Sequence, residues 1–430
     1  MKNISLWEKL YALQKPIRVG IAGGGEFASE IVAQCAQMHN MEVCVIADLL
    51  VEKAKSAFVA AGYALEDIIY TDNFKQAIQS IEAGKRVVTQ DALMISKLPV
   101  DAICDVTGDP AFGAEYACSG IDNGKHVVVV NIESDAGIGS ILRRRADSAG
   151  VVYTEADGDQ PSLIKALYDF CLCLGIQVEV AGKWTHQRPW SPDMPSRGRV
   201  DAGFLDGSKN QVEMCCVANM TGLIPDVRGL HLPSLALHDI LPALCPQEEG
   251  GMLSHSGVVE TVNCLTSDGL TEIESNLGGG VFVIANGGHN VFRQVARTKG
   301  FIHSADGNRV LLYRPYHFVG IETPMTILRA VLYGEPTASP MRTPCADVIS
   351  IAKRDLMPGT RLDGIGGANV RGEIVTREQA FSANALPLVL AQDVTVNRHI
   401  HCGEIISYND LTAHIDNLLW RLRAQQDLYR

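Results

Sequence analysis

A short apolar run, Val19-Gly20-Ile21-Ala22, breaks into three consecutive glycines, Gly23, Gly24 and Gly25, then resumes as a helical pattern through Ile31, Val32 and Cys35. A buried strand that turns on glycine straight into a helix brings backbone amides and a helix N-terminus to one point, where a pyrophosphate can bind. Gly23-x-Gly25-x-x-Ala28 fits the dinucleotide fingerprint in its variant with alanine at the third position. Gly23 permits the tight turn, Gly25 lets the backbone approach the phosphates, and Ala28 lets helix and strand pack closely. Gly23, Gly25, Glu26 and Phe27 are therefore candidate cofactor contacts.

A second apolar strand, Met41 to Ala47, ends in Asp48, close to the spacing at which a carboxylate meets the adenosine ribose. Such a group accepts hydrogen bonds from both ribose hydroxyls and repels a 2′-phosphate. Leu49, Leu50 and Val51 follow with no arginine among them, and Lys53 reads as a solvated helix residue. NAD is favoured as the cofactor, with NADP possible.

The pattern continues with helices over 52–62 and 73–83, fainter strands at 68–71 and 86–88, and a strongly apolar strand, Val100 to Val106, that ends in Thr107-Gly108. A helix over 110–123 follows, with proline well placed in its first turn. The valine run 127–130 leads to Asn131-Ile132-Glu133, then come a helix over 138–149 and a strand over 151–154. Strands alternating with helices imply an α/β Rossmann fold, a doubly wound parallel sheet with its ligand at the carboxyl ends of the strands. Those ends carry Gly23 to Phe27, Asp48, Thr107, Gly108, Asn131, Glu133 and Asp159.

The reading divides the chain into a dinucleotide-binding domain over 1–160, an α+β catalytic and oligomerisation domain over 161–340, and a small β-rich module with a terminal helix over 341–430. In the middle region a helix over 163–174 and a strand over 177–183 precede a long polar loop, 184–200, of the kind that covers substrates. Strands are expected at 281–285 and 310–313. In the last region two strand–turn–glycine units, at 347–359 and 388–406, suggest an internal pseudo-repeat. The final helix, 415–430, is expected on the surface or against another subunit.

The net charge of −12 argues against nucleic acid or an anionic membrane as partner. No apolar run reaches a membrane span, and the N-terminal 16 residues read as a short amphipathic helix and not as a signal peptide. The 12 cysteines lie mostly inside apolar elements, without C-x2-C spacing. That suits buried thiols in a cytoplasmic protein.

Hydride transfer needs a group that takes the alcohol proton as the hydride leaves. Lys183, after Val180-Ala181-Gly182 at a strand end, is placed for this role, although a lysine there can also snorkel to the surface. Lys209, three residues after Asp206, suits a substrate carboxylate or phosphate, or else an exposed turn. Glu133 and Asp159 suit sugar hydroxyls; a divalent metal stays open, since no tight Asp/Glu/His cluster is visible in the sequence. Arg314 suits bidentate binding of an anion, and His317 beside it is either a contact or a packed residue. The substrate expected is a small, anionic, polyhydroxylated molecule.

The N-terminal pattern resembles homoserine dehydrogenase. The run Ala352-Lys353-Arg354-Asp355-Leu356-Met357-Pro358-Gly359-Thr360, with Ala391-Gln392-Asp393-Val394 and Gly403-Glu404-Ile405-Ile406, resembles a SAF domain. The pairing is similar to a family of SAF-containing oxidoreductases that includes deoxyxylulose-phosphate reductoisomerase-like enzymes and apionate oxidoisomerases. The segments matched include Asn131 to Asp135, Gly158 to Ser162, Ala181 to Lys183, Asp206 to Lys209, Ala218 to Leu223 and Arg314 to His317. The resemblance implies catalytic roles for Lys183, Asp206, Lys209 and Glu133, substrate contacts at Asp159, Asn219, Arg314 and His317, and a homo-oligomer. It also implies hydride transfer coupled to a skeletal rearrangement. The alternatives are an NADPH-dependent reductoisomerase and a non-catalytic NAD-binding sensor.

Overall fold

The computed structural model describes residues 5–190 and 199–429. They group into two compact units, one of residues 1–159, 318–342 and 421–427, the other of 160–317, 343–420 and 428–430. Neither unit is continuous in sequence. Residues 343–420 share a unit with the middle region, so the contact pattern does not set off a third body.

The first unit is built on seven parallel strands, β1 (Ile17–Ala22), β2 (Met41–Ala47), β3 (Ile68–Tyr70), β4 (Arg86–Thr89), β5 (Ala102–Asp105), β6 (His126–Val129) and β7 (Tyr153–Glu155), in the order β3-β4-β2-β1-β5-β6-β7. Both faces are covered, so the strands read as nearly continuous apolar runs, and Val19, Ile21, Val45 and Ile46 are fully buried. The strand order reverses beside β1, and the crevice at that switch lies at the glycine turn. The helix after β6 runs Ile132–Ala149 and so begins at 132, not at the expected 138. Glu133 is thus a first-turn helix residue and not part of a strand-exit loop. The helix Val319–Tyr333 supplies Val319, Ile327 and Leu328 to the core of this unit. At Gly320 an added Cβ would collide with Glu30 of the helix Glu26–Gln37, so glycine permits that close approach.

The terminal helix spans Leu418–Asp427. It is less superficial than its polar composition suggests. Gln426 is buried, donates to the Gly137 carbonyl at 2.8 Å and accepts from the Ile141 amide at 3.0 Å.

The second unit holds a mixed six-stranded sheet of β8 (Gln177–Thr185), β9 (Ile224–Pro225), β10 (Val258–Asn263), β11 (Val281–Asn286), β12 (Ile302–His303) and β13 (Arg309–Arg314), in the order β12-β13-β11-β8-β10-β9. One face carries Val180, Trp184, Val258, Val262, Phe282 and Leu311, packed with Ile240, Leu244 and Leu253. Side chains alternate along a strand, so Lys183 points to the other face, which the helices Gln160–Cys173 and Ser208–Thr221 cover. Residues 343–420 add β14 (Ala346–Ala352), β15 (Arg361–Asp363), β16 (Val370–Thr376) and β17 (Gln392–Thr395), paired β14 with β16 and β15 with β17. The region is β-rich, but the two runs read as a pseudo-repeat are not equivalent. The first is the long strand β14, whereas the second opens as a 3-10 turn at Leu388–Leu390 before the short β17. Part of the expected loop over 184–200 lies outside the described residues. No disulfide forms among the described residues, and none of their helices is long and apolar enough to cross a membrane.

Candidate active site

In the first unit the glycine turn is built as its spacing demands. Gly23 has φ +102°, a value that strains any residue with a Cβ, and its added Cβ would lie 2.9 Å from Val106. The Gly24 amide donates to Asp48 Oδ2 at 2.7 Å, and the Leu50 amide donates to Asp48 Oδ1 at 2.7 Å. Two amides thus aim the half-buried carboxylate while leaving each oxygen with acceptor capacity for a ribose hydroxyl. Gly25 begins the helix Glu26–Gln37 with no side-chain cap, and a Cβ added there would meet nothing within 4 Å. Open space in front of uncapped helix amides fits a pyrophosphate. Glu26 and Phe27 are exposed beside it, and Ala28 is buried in the core.

Thr107 and Asn131 are organised by a residue that the sequence did not single out. Asp105, fully buried at the end of β5, accepts from the Thr107 amide (3.0 Å) and hydroxyl (2.7 Å) and from Asn131 Nδ2 (3.1 Å). Asn131 Nδ2 also bonds the Asp109 carbonyl, so this nitrogen is committed to the turn and does not face a cofactor. Gly113 makes room for the hub, since its Cβ would sit 2.8 Å from Asp105 and 2.9 Å from Asn131.

Burial pushes the Asp105 carboxyl up to about 6, against the pull of the Thr107 and Asn131 hydrogen bonds. A folded value above the unfolded one means that stability is fully present below about pH 4 and is lost as pH rises through about 6. In Asp105→Asn this dependence disappears. Between pH 4.5 and 7.5 the variant should gain on the wild type by roughly 2 kcal/mol, read from denaturant midpoints. A constant difference across that range would contradict the assignment.

In the second unit, register does the positioning. Lys183 on β8 pairs with Thr261 on β10 and with Val281 on β11, and Val281 pairs with Arg314 on β13. Thr261, Lys183, Val281 and Arg314 therefore form one row across four adjacent strands, on the helix-covered face. Lys183 is buried and bonds Glu213 of the helix Ser208–Thr221, also buried. One turn earlier on that helix, Asn210 donates to Gln187 Oε1 at 2.9 Å. Gln187 is itself clamped through its backbone by Asn263 (3.1 and 2.8 Å). Thr261 Oγ1 and Asn210 Oδ1 are buried with no hydrogen-bond partner among the described residues. Orphaned polar atoms beside a buried ion pair call for a water or a ligand.

Arg314, half-buried, lies over the Tyr316 ring at 4.5 Å. A Cβ on Gly279 would come within 2.7 Å of His317, and the Gly279 carbonyl accepts from Gln160 Nε2 at 2.5 Å. Hence Gln160, the 278–280 turn and His317 meet at the end of the sheet where the row lies.

Two expected site residues have other employment. Asp206 is not beside Lys183 chemically: its carboxylate pairs with the buried Lys353 and accepts from the Ser208 amide at 2.9 Å. Asn219 accepts from the Cys345 and Ala346 amides (2.9 and 3.0 Å), which ties its helix to β14 and does not leave its carbonyl oxygen to a substrate. Lys209 is the second residue of the helix Ser208–Thr221 and is half-buried, not the exposed turn that was the alternative. Glu133 and Asp159 are half-buried and belong to the first unit.

Glu213, Thr261 and Asp105 were missed. For Glu213 a signal existed: one acid in the otherwise apolar run Val212-Glu213-Met214-Cys215-Cys216-Val217 needs a buried cation.

Residues 158–323, less than half of the chain, match the family described as oxidoreductase DRL, catalytic domain. No curated protein matches the chain. Among solved structures it is similar to a probable dehydrogenase from Thermotoga maritima (12% identity, 74% of this chain and 90% of that one, TM-score 0.41). It is also similar to a myo-inositol dehydrogenase from Corynebacterium glutamicum (13%, 74% and 89%, TM-score 0.39). A third is KijD10, a 3-ketoreductase from Actinomadura kijaniata (13%, 75% and 91%, TM-score 0.36). The class of the protein is that of the NAD(P)-dependent oxidoreductases, on the catalytic-domain match together with the glycine turn of its Rossmann-like sheet.

Proposed function

We propose that the protein is an NAD-dependent oxidoreductase that oxidises a secondary alcohol of a small, anionic, polyhydroxylated compound, a sugar acid or sugar phosphate. The observation that carries this reading is the buried Lys183–Glu213 pair, within the segment that matches an oxidoreductase catalytic domain and in one sheet row with Thr261 and Arg314. Bound NAD supplies the hydride acceptor. Gly23 to Gly25 and the helix amides behind them receive its pyrophosphate, and Asp48 accepts from its adenosine ribose. Lys183 Nζ first hands a proton to the Glu213 carboxylate and then, as the neutral amine, takes the alcohol proton as the carbon gives up hydride. The Thr261 hydroxyl, which has no partner among the described residues, bonds a substrate oxygen. Arg314 holds the anionic group, a task for which its planar guanidinium suits carboxylate and phosphate alike.

A panel of sugar acids, sugar phosphates and their neutral polyol counterparts, incubated with NAD, tests this by NADH formation. Turnover confined to the anionic members is expected. Oxidation of NADPH by a keto sugar phosphate, with no NAD-dependent turnover, would support the reductoisomerase alternative instead. Asp48→Ala should lower NAD affinity roughly 10- to 100-fold and narrow the discrimination against NADP, since it removes charge-assisted hydrogen bonding worth about 1.5–3 kcal/mol. Equal affinities of wild type and variant for NAD would remove Asp48 from the site.

A further inference from the structure

At the bridge between Leu356 and Ile400, amides and carbonyls bond in both directions (2.8 and 2.9 Å), and both side chains are fully buried. Residues on either side of an inward-pointing residue point outward. That rule turns Asp355, His399 and His401 to the same outer surface of the second unit. The two imidazole rings lie 4.3 Å apart between centroids. His399 Nε2 is 3.7 Å from Asp355 Oδ2, and His401 Nδ1 is 3.9 Å from Asp355 Oδ1. One ligand atom from each residue falls within 4.8 Å of the other two.

Distances of 3.7 and 3.9 Å are too long for hydrogen bonds. They are close to the separation of about 3–3.5 Å between neighbouring ligands that each stand about 2.0–2.2 Å from one cation. His399 Nε2 is buried as an atom and has no hydrogen-bond partner among the described residues. The Cys402 amide donates to Asp355 Oδ1 at 2.9 Å, which fixes the carboxylate. Arg398, next to His399, is engaged by Asp410 and Glu404, so its charge is compensated locally.

We propose that Asp355, His399 and His401 form a binding site for a divalent transition ion of the zinc type, with its remaining coordination positions open to water. Two imidazoles and a carboxylate suit zinc and its first-row neighbours, not calcium or magnesium. The ion would cross-link the 355–356 and 399–402 segments. This inference is independent of the hydride-transfer reading.

Full-length protein stripped with chelator is titrated with Zn²⁺ by calorimetry and with Co²⁺ by visible absorption. The same titrations are run on Asp355→Asn and on the double variant His399→Ala/His401→Ala, with folding checked by circular dichroism. One equivalent bound by wild type is expected, weakened roughly a hundredfold or more in the double variant. A zinc-dependent rise in Tm should be present in wild type and absent from the double variant. No zinc binding by wild type, or binding by the folded double variant with unchanged stoichiometry and affinity, overturns the proposal. The second result would assign the ion to other residues, cysteines included.

Discussion

Replacement of Lys183 by methionine should lower kcat by roughly 10²–10⁴-fold, the range contributed by one positioned proton-transfer group. The single variant also leaves Glu213 buried without its cation, which costs about 3–5 kcal/mol of stability. Loss of activity alone would therefore be ambiguous. The double variant Lys183→Met/Glu213→Gln removes both charges and should recover most of the stability while staying inactive. Glu213→Gln alone keeps the amine and should retain intermediate activity with an altered pH profile. Stopped-flow and steady-state kinetics with the substrate found in the panel separate these cases. A double variant that is both stable and active would end the assignment of Lys183.

The second large effect concerns stability. Lys353 and Asp206 form an ion pair with side chains 3% and 0% exposed, and the Lys353 ammonium also donates to the Gly367 carbonyl at 2.6 Å. Lys353→Met strands a carboxylate in a dry environment and should cost about 3–5 kcal/mol. For a unit of this size that is a fall in Tm of roughly 10 °C. Asp206→Leu combined with Lys353→Met should restore most of it, because paired burial of charge is replaced by apolar packing. Differential scanning calorimetry of the three variants reads this directly. Additive losses in the double variant would mean that the two residues act separately.

The Rossmann unit was largely legible because its information is local. A strand, a glycine turn and a helix lie within about 20 residues, and buried parallel strands announce themselves as apolar runs. The faint strands Ile68–Tyr70 and Arg86–Thr89 are short and partly exposed, so the pattern there was weak. The helix start at Ile132 was obscured by Gly137 and Gly139. Long-range partners left less trace. Lys183 was readable from its strand end, but Glu213 lies 30 residues away and Lys353 stands 147 positions beyond Asp206. The return of residues 318–342 and 421–427 to the first unit depends on packing that no local pattern encodes. The contacts across the sheet from Thr261 to Arg314 likewise follow from register, which the order of strands along the chain does not reveal.

Selection of a nicotinamide cofactor by Asp48 is tested by calorimetric titration of the wild-type protein with NAD, NADH, NADP and NADPH. Saturable binding of the NAD pair, at least tenfold tighter than that of the NADP pair, is the expected result. Tighter binding of NADP and NADPH, or binding of none of the four, would contradict it.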